Sequence, residues 1–157
     1  MKHVLALILF SFAFRYSANA ALSGTRTVGP SGNYSSITGA IADVQAQSLG
    51  GPLVLELQAT YVSTVETFPL TIPALNGASA VNTLTIRPAI GATARSITSA
   101  NTTAATVDLS GAQFVTIDGR PGGVGSNAGS GGGAASQLTI ANTSTSGVAL
   151  RFVASSC

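Results

Sequence analysis

Three residues near the middle of the chain are of types suited to catalysis or cation binding: Asp108, Asp118 and Arg120. The two carboxylates stand ten residues apart in or beside short apolar stretches, and Arg120 follows Asp118 by two residues. Hard cations bind to several oxygen ligands, which two such carboxylates would begin to supply. The favoured interpretation is structural: Asp118-Gly119 is typical of a turn, and Asp108 of a solvated strand position.

The other acidic residues offer little for acid–base chemistry. Glycosidases use two carboxylates about 5–10 Å apart, and Glu56 and Glu66 are the only glutamates. Glu56 stands between Leu55 and Leu57, so we expect it on a solvated strand face, and Asp43 belongs to the polar side of a predicted helix. The chain has no His beyond residue 20, which excludes a Ser-His-Asp triad and a His-containing zinc site within it.

Residues 1–20 are typical of a secretory signal. Lys2 and His3 precede an apolar run over residues 4–14, and Ala18-Asn19-Ala20 has the small-x-small pattern of a cleavage site. The run is too short to span a membrane, so no membrane span is predicted in the mature chain. We therefore expect a protein that is secreted or held at the cell surface.

The charge of the mature chain excludes a basic nucleic-acid-binding surface. The formal net charge of +2 comes from Lys2 and Arg15, and the remaining five Arg and five acidic residues cancel. No nucleic-acid partner is predicted. The single Cys, Cys157, allows no intrachain disulfide, so stability must come from burial and backbone pairing.

One helix and many short strands are expected. Ser35 or Ser36 can cap a helix of about residues 35–49, whose apolar stripe is Ile37, Ala40, Ile41 and Val44. Short β-branched stretches bounded by turn formers predict strands at 53–57, 61–65, 70–72, 83–87, 96–99, 106–109, 114–117, 137–141 and 148–153.

A repeated unit suggests how these strands are arranged. An apolar residue followed by Thr-Ile occurs four times, and Ile86 to Leu109 and Ile117 to Ile140 both span 23 residues. Periods in the twenties favour a solenoid, in which each coil adds one strand to each face. An antiparallel sandwich is the alternative, because it also has short strands and frequent turns.

The stretch 119–135 is rich in glycine and is expected to be a loop between two coils. It lacks the Lys-Ser/Thr pair and the following helix of a phosphate-binding P-loop.

Two stretches resemble the pectin-lyase-like superfamily, which has the right-handed parallel β-helix fold. The first runs from Tyr34-Ser-Ser-Ile through the predicted helix to Leu53-Val-Leu-Glu-Leu, and the second from Phe114-Val-Thr-Ile-Asp-Gly-Arg to Leu138-Thr-Ile-Ala-Asn-Thr. The resemblance covers nearly all of residues 26–153, and the second stretch resembles large secreted bacterial surface proteins of that fold. It implies an all-β solenoid over residues 21–157 with the helix as its N-terminal cap.

The resemblance leaves the activity open, because this fold carries lyases, hydrolases, esterases and adhesins. Lyases of this type imply a calcium site and an Arg base, for which Asp108, Asp118 and Arg120 are the candidates; otherwise no cofactor is expected. An exposed row of side chains that binds a glycan would include Arg87 and Arg151. Phe114 and Phe152 are expected to pack inside the coil. Asn142 is expected to join an internal asparagine stack.

The favoured hypothesis is a non-catalytic surface or adhesion module that contacts extracellular polysaccharide, and the alternative is a polysaccharide lyase or glycoside hydrolase. No C-terminal cap is visible, which predicts part of a larger protein or self-association through the last coil.

Overall fold

The computed structural model describes residues 20–124 and 136–154. The predicted signal at 1–20 lies outside this part of the chain except for its last residue, and so do Cys157 and residues 125–135 of the glycine-rich stretch.

The described chain consists mainly of short β-strands with one α-helix. The strands are β1 (Leu22–Val28), β2 (Leu49–Leu57), β3 (Leu70–Pro73), β4 (Leu84–Pro88), β5 (Arg95–Ser99), β6 (Val107–Ser110), β7 (Val115–Ile117), β8 (Leu138–Asn142) and β9 (Leu150–Val153), and the helix α1 is Ile37–Gln47. Short 3-10 turns occupy Ser63–Val65 and Pro121–Gly123. The strand predicted at 61–65 is therefore wrong.

The strands form three parallel sheets. Sheet A has the order β1-β2-β4-β7, sheet B has β3-β6-β9 and sheet C has β5-β8. From β4 onward the chain visits sheets A, C and B in turn, and then repeats that order. All six strand pairings in the described residues are parallel, so the antiparallel sandwich is wrong.

The strands that stack on each other are not those that the 23-residue spacing predicted. Ile86 pairs with Ile117, 31 residues later, and Ile97 pairs with Ile140, 43 residues later. Ile117 and Ile140, which are 23 residues apart, belong to different sheets. The 23-residue spacing therefore connects strands of two different sheets. It misleads because the same apolar-Thr-Ile unit occurs in all three sheets.

Alternation along β2 and β4 builds the core of sheet A. In β2 and β4 the residues Leu53, Leu55, Leu84 and Ile86 are buried, while their neighbours are partly exposed. Parallel register places Leu53 beside Leu84 and Leu55 beside Ile86, which makes continuous apolar rows through the stack.

Helix α1 forms where the sequence predicts it. The Gly39 N–H donates to Ser36 Oγ at 3.0 Å, so Ser36 is the N-cap. The apolar stripe is buried as predicted, at Ile37, Ala40, Ile41 and Val44.

Candidate functional site

The outer face of sheet A presents a row of threonine hydroxyls. Thr25, Val54, Thr85 and Thr116 are neighbours across β1, β2, β4 and β7, and they alternate with the buried apolar rows. The hydroxyls of the three threonines have no hydrogen-bond partner in the described part of the chain. Adjacent strands are about 4.8 Å apart, so Thr85 and Thr116 lie one strand spacing apart, and Val54 separates them from Thr25.

A row of paired charges runs beside the hydroxyls. Glu56 and Arg87 are register neighbours on β2 and β4, and the Arg87 Nη2 donates to Glu56 Oε1 at 2.7 Å. Asp118 follows β7 directly, and its backbone N–H donates to the Ile86 carbonyl at 2.9 Å, next to Arg87. The charges in this row therefore alternate in sign from strand to strand.

Asp118 and Arg120 form a local pair at the end of the row. The Arg120 Nε and Nη2 donate to the two Asp118 oxygens at distances of 2.9 Å, and the Arg120 backbone N–H donates to Oδ1 at 2.9 Å. These hydrogen bonds hold the pKa of Asp118 below its usual value, and the same pair raises the pKa of Arg120. Asp118 holds the backbone two residues on through this side-chain bond, but Gly119 does not have the positive φ of the predicted Asp-Gly turn.

Asp108 lies apart from this pair. It is on β6 in sheet B, whereas Asp118 follows β7 in sheet A. Its partner is Arg151 on β9, whose Nε donates to Asp108 Oδ1 at 3.1 Å. Asp108 is buried, so the prediction of a solvated strand position is wrong: the Arg151 guanidinium covers the carboxylate on the outside of the strand pair.

The candidate calcium site does not fit this arrangement. Asp108 and Asp118 belong to different sheets, and each carboxylate is already bonded to a guanidinium. The residues 20–124 and 136–154 contain no cluster of three His, Cys, Asp or Glu able to hold a metal ion. Asp108 therefore does not come together with Asp118 and Arg120 in one site.

Glu66 is a buried carboxylate that sequence reasoning left without a role. Its oxygens accept hydrogen bonds from the N–H groups of Ile37 and Thr38 at 2.7 and 2.8 Å, from the Thr38 hydroxyl at 2.7 Å and from the Tyr61 hydroxyl at 3.0 Å. It satisfies the first N–H groups of α1 and places a negative charge at the positive end of the helix dipole. No local motif could reveal this, because the partners lie 28 and 29 residues earlier.

Asp43 completes the set of acidic residues. It accepts a hydrogen bond from the Tyr34 hydroxyl at 2.6 Å and another from the Gln47 side chain. Burial of Tyr34, aided by the Asp43 carboxylate, raises the pKa of Tyr34 to about 12. All five Asp and Glu residues of the chain therefore bond to groups of the fold itself.

Two further predictions have definite outcomes. Arg87 and Arg151 do not form one row, because they lie on sheets A and B. Asn142 does not join an asparagine stack among the described residues: its register neighbour is Ser99, and its Nδ2 donates to the backbone carbonyls of Asn101 and Val148.

The expectation that Phe114 and Phe152 pack inside the coil is also wrong, because both side chains are exposed.

Comparison with protein-family models, with curated proteins and with solved structures finds no match to this chain. No helix in the described residues is both long and apolar enough to cross a bilayer.

Proposed function

We propose that the chain is a secreted, non-catalytic module with the right-handed parallel β-helix fold, and that it contacts extracellular polysaccharide through the outer face of sheet A. Export would use the predicted signal at residues 1–20. The parallel pairing and the repeated visiting of sheets A, C and B support the β-helix assignment.

The observation that carries the functional proposal is the engagement of every carboxylate. General acid–base catalysis needs a group that can take and release a proton at the substrate, within hydrogen-bond reach. Here Glu56, Asp108 and Asp118 are bonded to guanidinium groups, and Glu66 and Asp43 to donors around α1. These five carboxylates hold the strands and the helix together. We therefore assign the outer surface to binding a ligand rather than to catalysis.

The outer face of sheet A suits a periodic, hydroxyl-rich polymer. Its threonine hydroxyls are unpartnered among the described residues: Thr85 and Thr116 are on adjacent strands, and Thr25 is two strands from Thr85, so each can exchange hydrogen bonds with a sugar hydroxyl along one chain. The charges beside them are paired with each other, so we expect binding that depends little on salt concentration. Binding through hydrogen bonds responds weakly to salt, whereas binding through unpaired charges is screened by it.

The test compares binding and turnover for a panel of neutral and acidic polysaccharides. We expect retention in affinity electrophoresis without new reducing ends or unsaturated products. Removing the hydroxyls with Thr25→Val, Thr85→Val and Thr116→Val together should weaken retention by about threefold or more, since each hydrogen bond contributes modestly. Thr71→Val on sheet B is the control, because Thr71 is an exposed strand threonine away from sheet A whose hydroxyl donates to the Pro69 carbonyl at 3.4 Å.

Turnover that copurifies with the protein would establish an enzyme and end the non-catalytic proposal. Equal retention of the triple variant and the Thr71→Val control would move the binding surface away from sheet A.

A further inference from the structure

Three Asn-x-Ser/Thr triplets occur in the chain, and each matches the acceptor motif for N-linked glycosylation. They begin at Asn33, Asn101 and Asn142, and none of them has proline as its middle residue. The motif alone does not separate them, because such triplets arise by chance in a chain rich in Ser and Thr. The contacts of the three side-chain amides do separate them.

Asn33 is exposed and lies in the loop between β1 and α1. Its Oδ1 accepts hydrogen bonds from the Thr27 N–H at 2.9 Å and from the Thr27 hydroxyl at 3.1 Å. Its Nδ2, the atom that glycosylation modifies, has no hydrogen-bond partner within residues 20–124 and 136–154. Ser35, the third residue of the triplet, is also exposed. The acceptor nitrogen is therefore free, while the oxygen of the same amide is held.

The Asn142 amide is enclosed by backbone. Its Nδ2 donates to the carbonyls of Asn101, Ala104 and Val148 at 3.0, 3.4 and 3.2 Å. A Cβ at Gly147 would overlap with this nitrogen, so the chain passes directly beside it. A sugar bonded to the Asn142 Nδ2 would displace these contacts and collide with the backbone at Gly147.

Asn101 is held in the same part of the fold. It is partly buried, and its Nδ2 donates to the Ala105 carbonyl at 3.4 Å. Its own carbonyl oxygen accepts the bond from Asn142 and also lies against Gly147. A glycan at Asn101 would therefore meet the backbone that encloses Asn142.

We propose that Asn33 is an acceptor for N-linked glycosylation, and that Asn101 and Asn142 are not acceptors in the folded chain. In the transfer, the Asn33 Nδ2 forms a bond to the anomeric carbon of a glycosyl diphosphate. The bond from that carbon to the phosphate oxygen breaks, the diphosphate leaves with the electron pair, and Nδ2 gives up one proton to a base of the transferase. The Asn33 Oδ1 is unchanged, so both bonds from Thr27 remain.

The test on the folded chain combines the purified protein with a soluble asparagine N-glycosyltransferase and a nucleotide-activated glucose. Peptide mass spectrometry should show one added hexose, at Asn33. Modification at Asn101 and Asn142 should be about tenfold slower or more, because their amides are released only by local opening. Synthetic peptides that carry each triplet control for the preference of the enzyme, and all three should be modified.

Ser35→Ala is the sharpest variant, because it breaks the triplet and leaves Asn33 with its bonds from Thr27 in place. It should abolish the modification, as should Asn33→Gln. Ser31→Ala is the matched control, since Ser31 is an exposed serine of the same loop outside the triplet. It should be modified at the wild-type rate, and circular dichroism should show unchanged helix and strand content for both serine variants.

A second experiment separates the two sources of the diphosphate. Secretion of the chain from yeast offers a lipid-linked oligosaccharide in place of the nucleotide sugar. The secreted protein should lose one glycan when treated with peptide N-glycanase, which converts the modified asparagine to aspartate and so marks its position. Modification of Asn33 in one experiment alone supports the site and identifies its donor.

An unmodified Asn33 in both experiments, while the Asn33 peptide is modified, overturns the proposal. So does a folded wild-type chain that is modified at Asn142 as readily as at Asn33. The outcome is independent of polysaccharide binding, because the variants at Asn33 and Ser35 leave the threonine row of sheet A unchanged.

Discussion

Glu66 connects the start of α1 to Tyr61 through one buried carboxylate. It accepts four hydrogen bonds, two of them from the N–H groups that begin α1, and it is buried. Replacing Glu66 by Ala would leave those donors unsatisfied, and we expect a loss of about 2–4 kcal/mol in the free energy of unfolding, measured with urea. Glu56→Ala is the comparison, because the partly exposed Glu56–Arg87 pair should contribute about 1 kcal/mol or less. Similar losses for the two variants would contradict the assigned role of Glu66.

Tyr34 gives the fold a defined response to alkaline pH. Its pKa is raised to about 12 in the folded chain, against about 10 in an unfolded one, because it is buried and donates to Asp43. The folded state then holds the phenolic proton more tightly, so its stabilisation is complete below pH 10 and is lost as the pH rises toward 12. Urea unfolding between about pH 8 and 11 should show this loss, and Tyr34→Phe should reduce the slope. An unchanged slope in Tyr34→Phe would assign the loss to other groups, such as Tyr61.

At the scale of elements, the turn after β3 is fixed by a close backbone approach. Gly77 has a φ of +77°, and a Cβ there would lie 2.5 Å from the Leu49 carbonyl oxygen at the start of β2. Gly91 has nearly the same φ, +76°, but nothing within 4 Å of the Cβ position. We expect Gly91→Ala to cost about 1 kcal/mol from the left-handed backbone alone, and Gly77→Ala about 3 kcal/mol or more from strain and overlap together. Equal melting temperatures for the two variants would contradict this.

The positions of the helix and of most strands could be predicted from the sequence, but which strands lie next to each other could not. Helix α1 has a local cap and a local apolar period, so its position needed no tertiary information. The strands have local β-branched patterns, but Leu84-Thr85-Ile86 and Leu138-Thr139-Ile140 read alike and lie on different sheets. Stacking depends on the length of each intervening loop, and the loops differ, so the shared 23-residue spacing indicated a periodic fold without giving its register.

The same reasoning explains what was predictable in the candidate site. The pairing of Asp118 with Arg120 spans two residues, so it is local in the sequence. The pairing of Asp108 with Arg151 spans 43 residues and depends on β9 lying beside β6. Only the register of β9 against β6 brings Asp108 and Arg151 together, and the sequence alone did not give that register.

At the scale of the whole molecule, stability is distributed along the stack. Each layer buries apolar rows against the next, and the pairs Glu56–Arg87 and Asp108–Arg151 join neighbouring strands on the outside. A protein without internal disulfides can be held in this way, because each layer contributes burial and parallel hydrogen bonding. The consequence is a gradient: inner layers have neighbours on both sides, and the β9 layer has a neighbour on one side within the described chain.

That gradient leads to a prediction for hydrogen exchange. Amides of β2 and β4, in the middle of sheet A, should exchange slowest. Amides of β9, which pairs with one strand only among the described residues, should exchange at least tenfold faster. The β1 strand is the comparison, because it is also at the edge of its sheet but lies beside α1, and its amides should exchange at an intermediate rate. Exchange of β9 as slow as that of β2 would contradict the gradient.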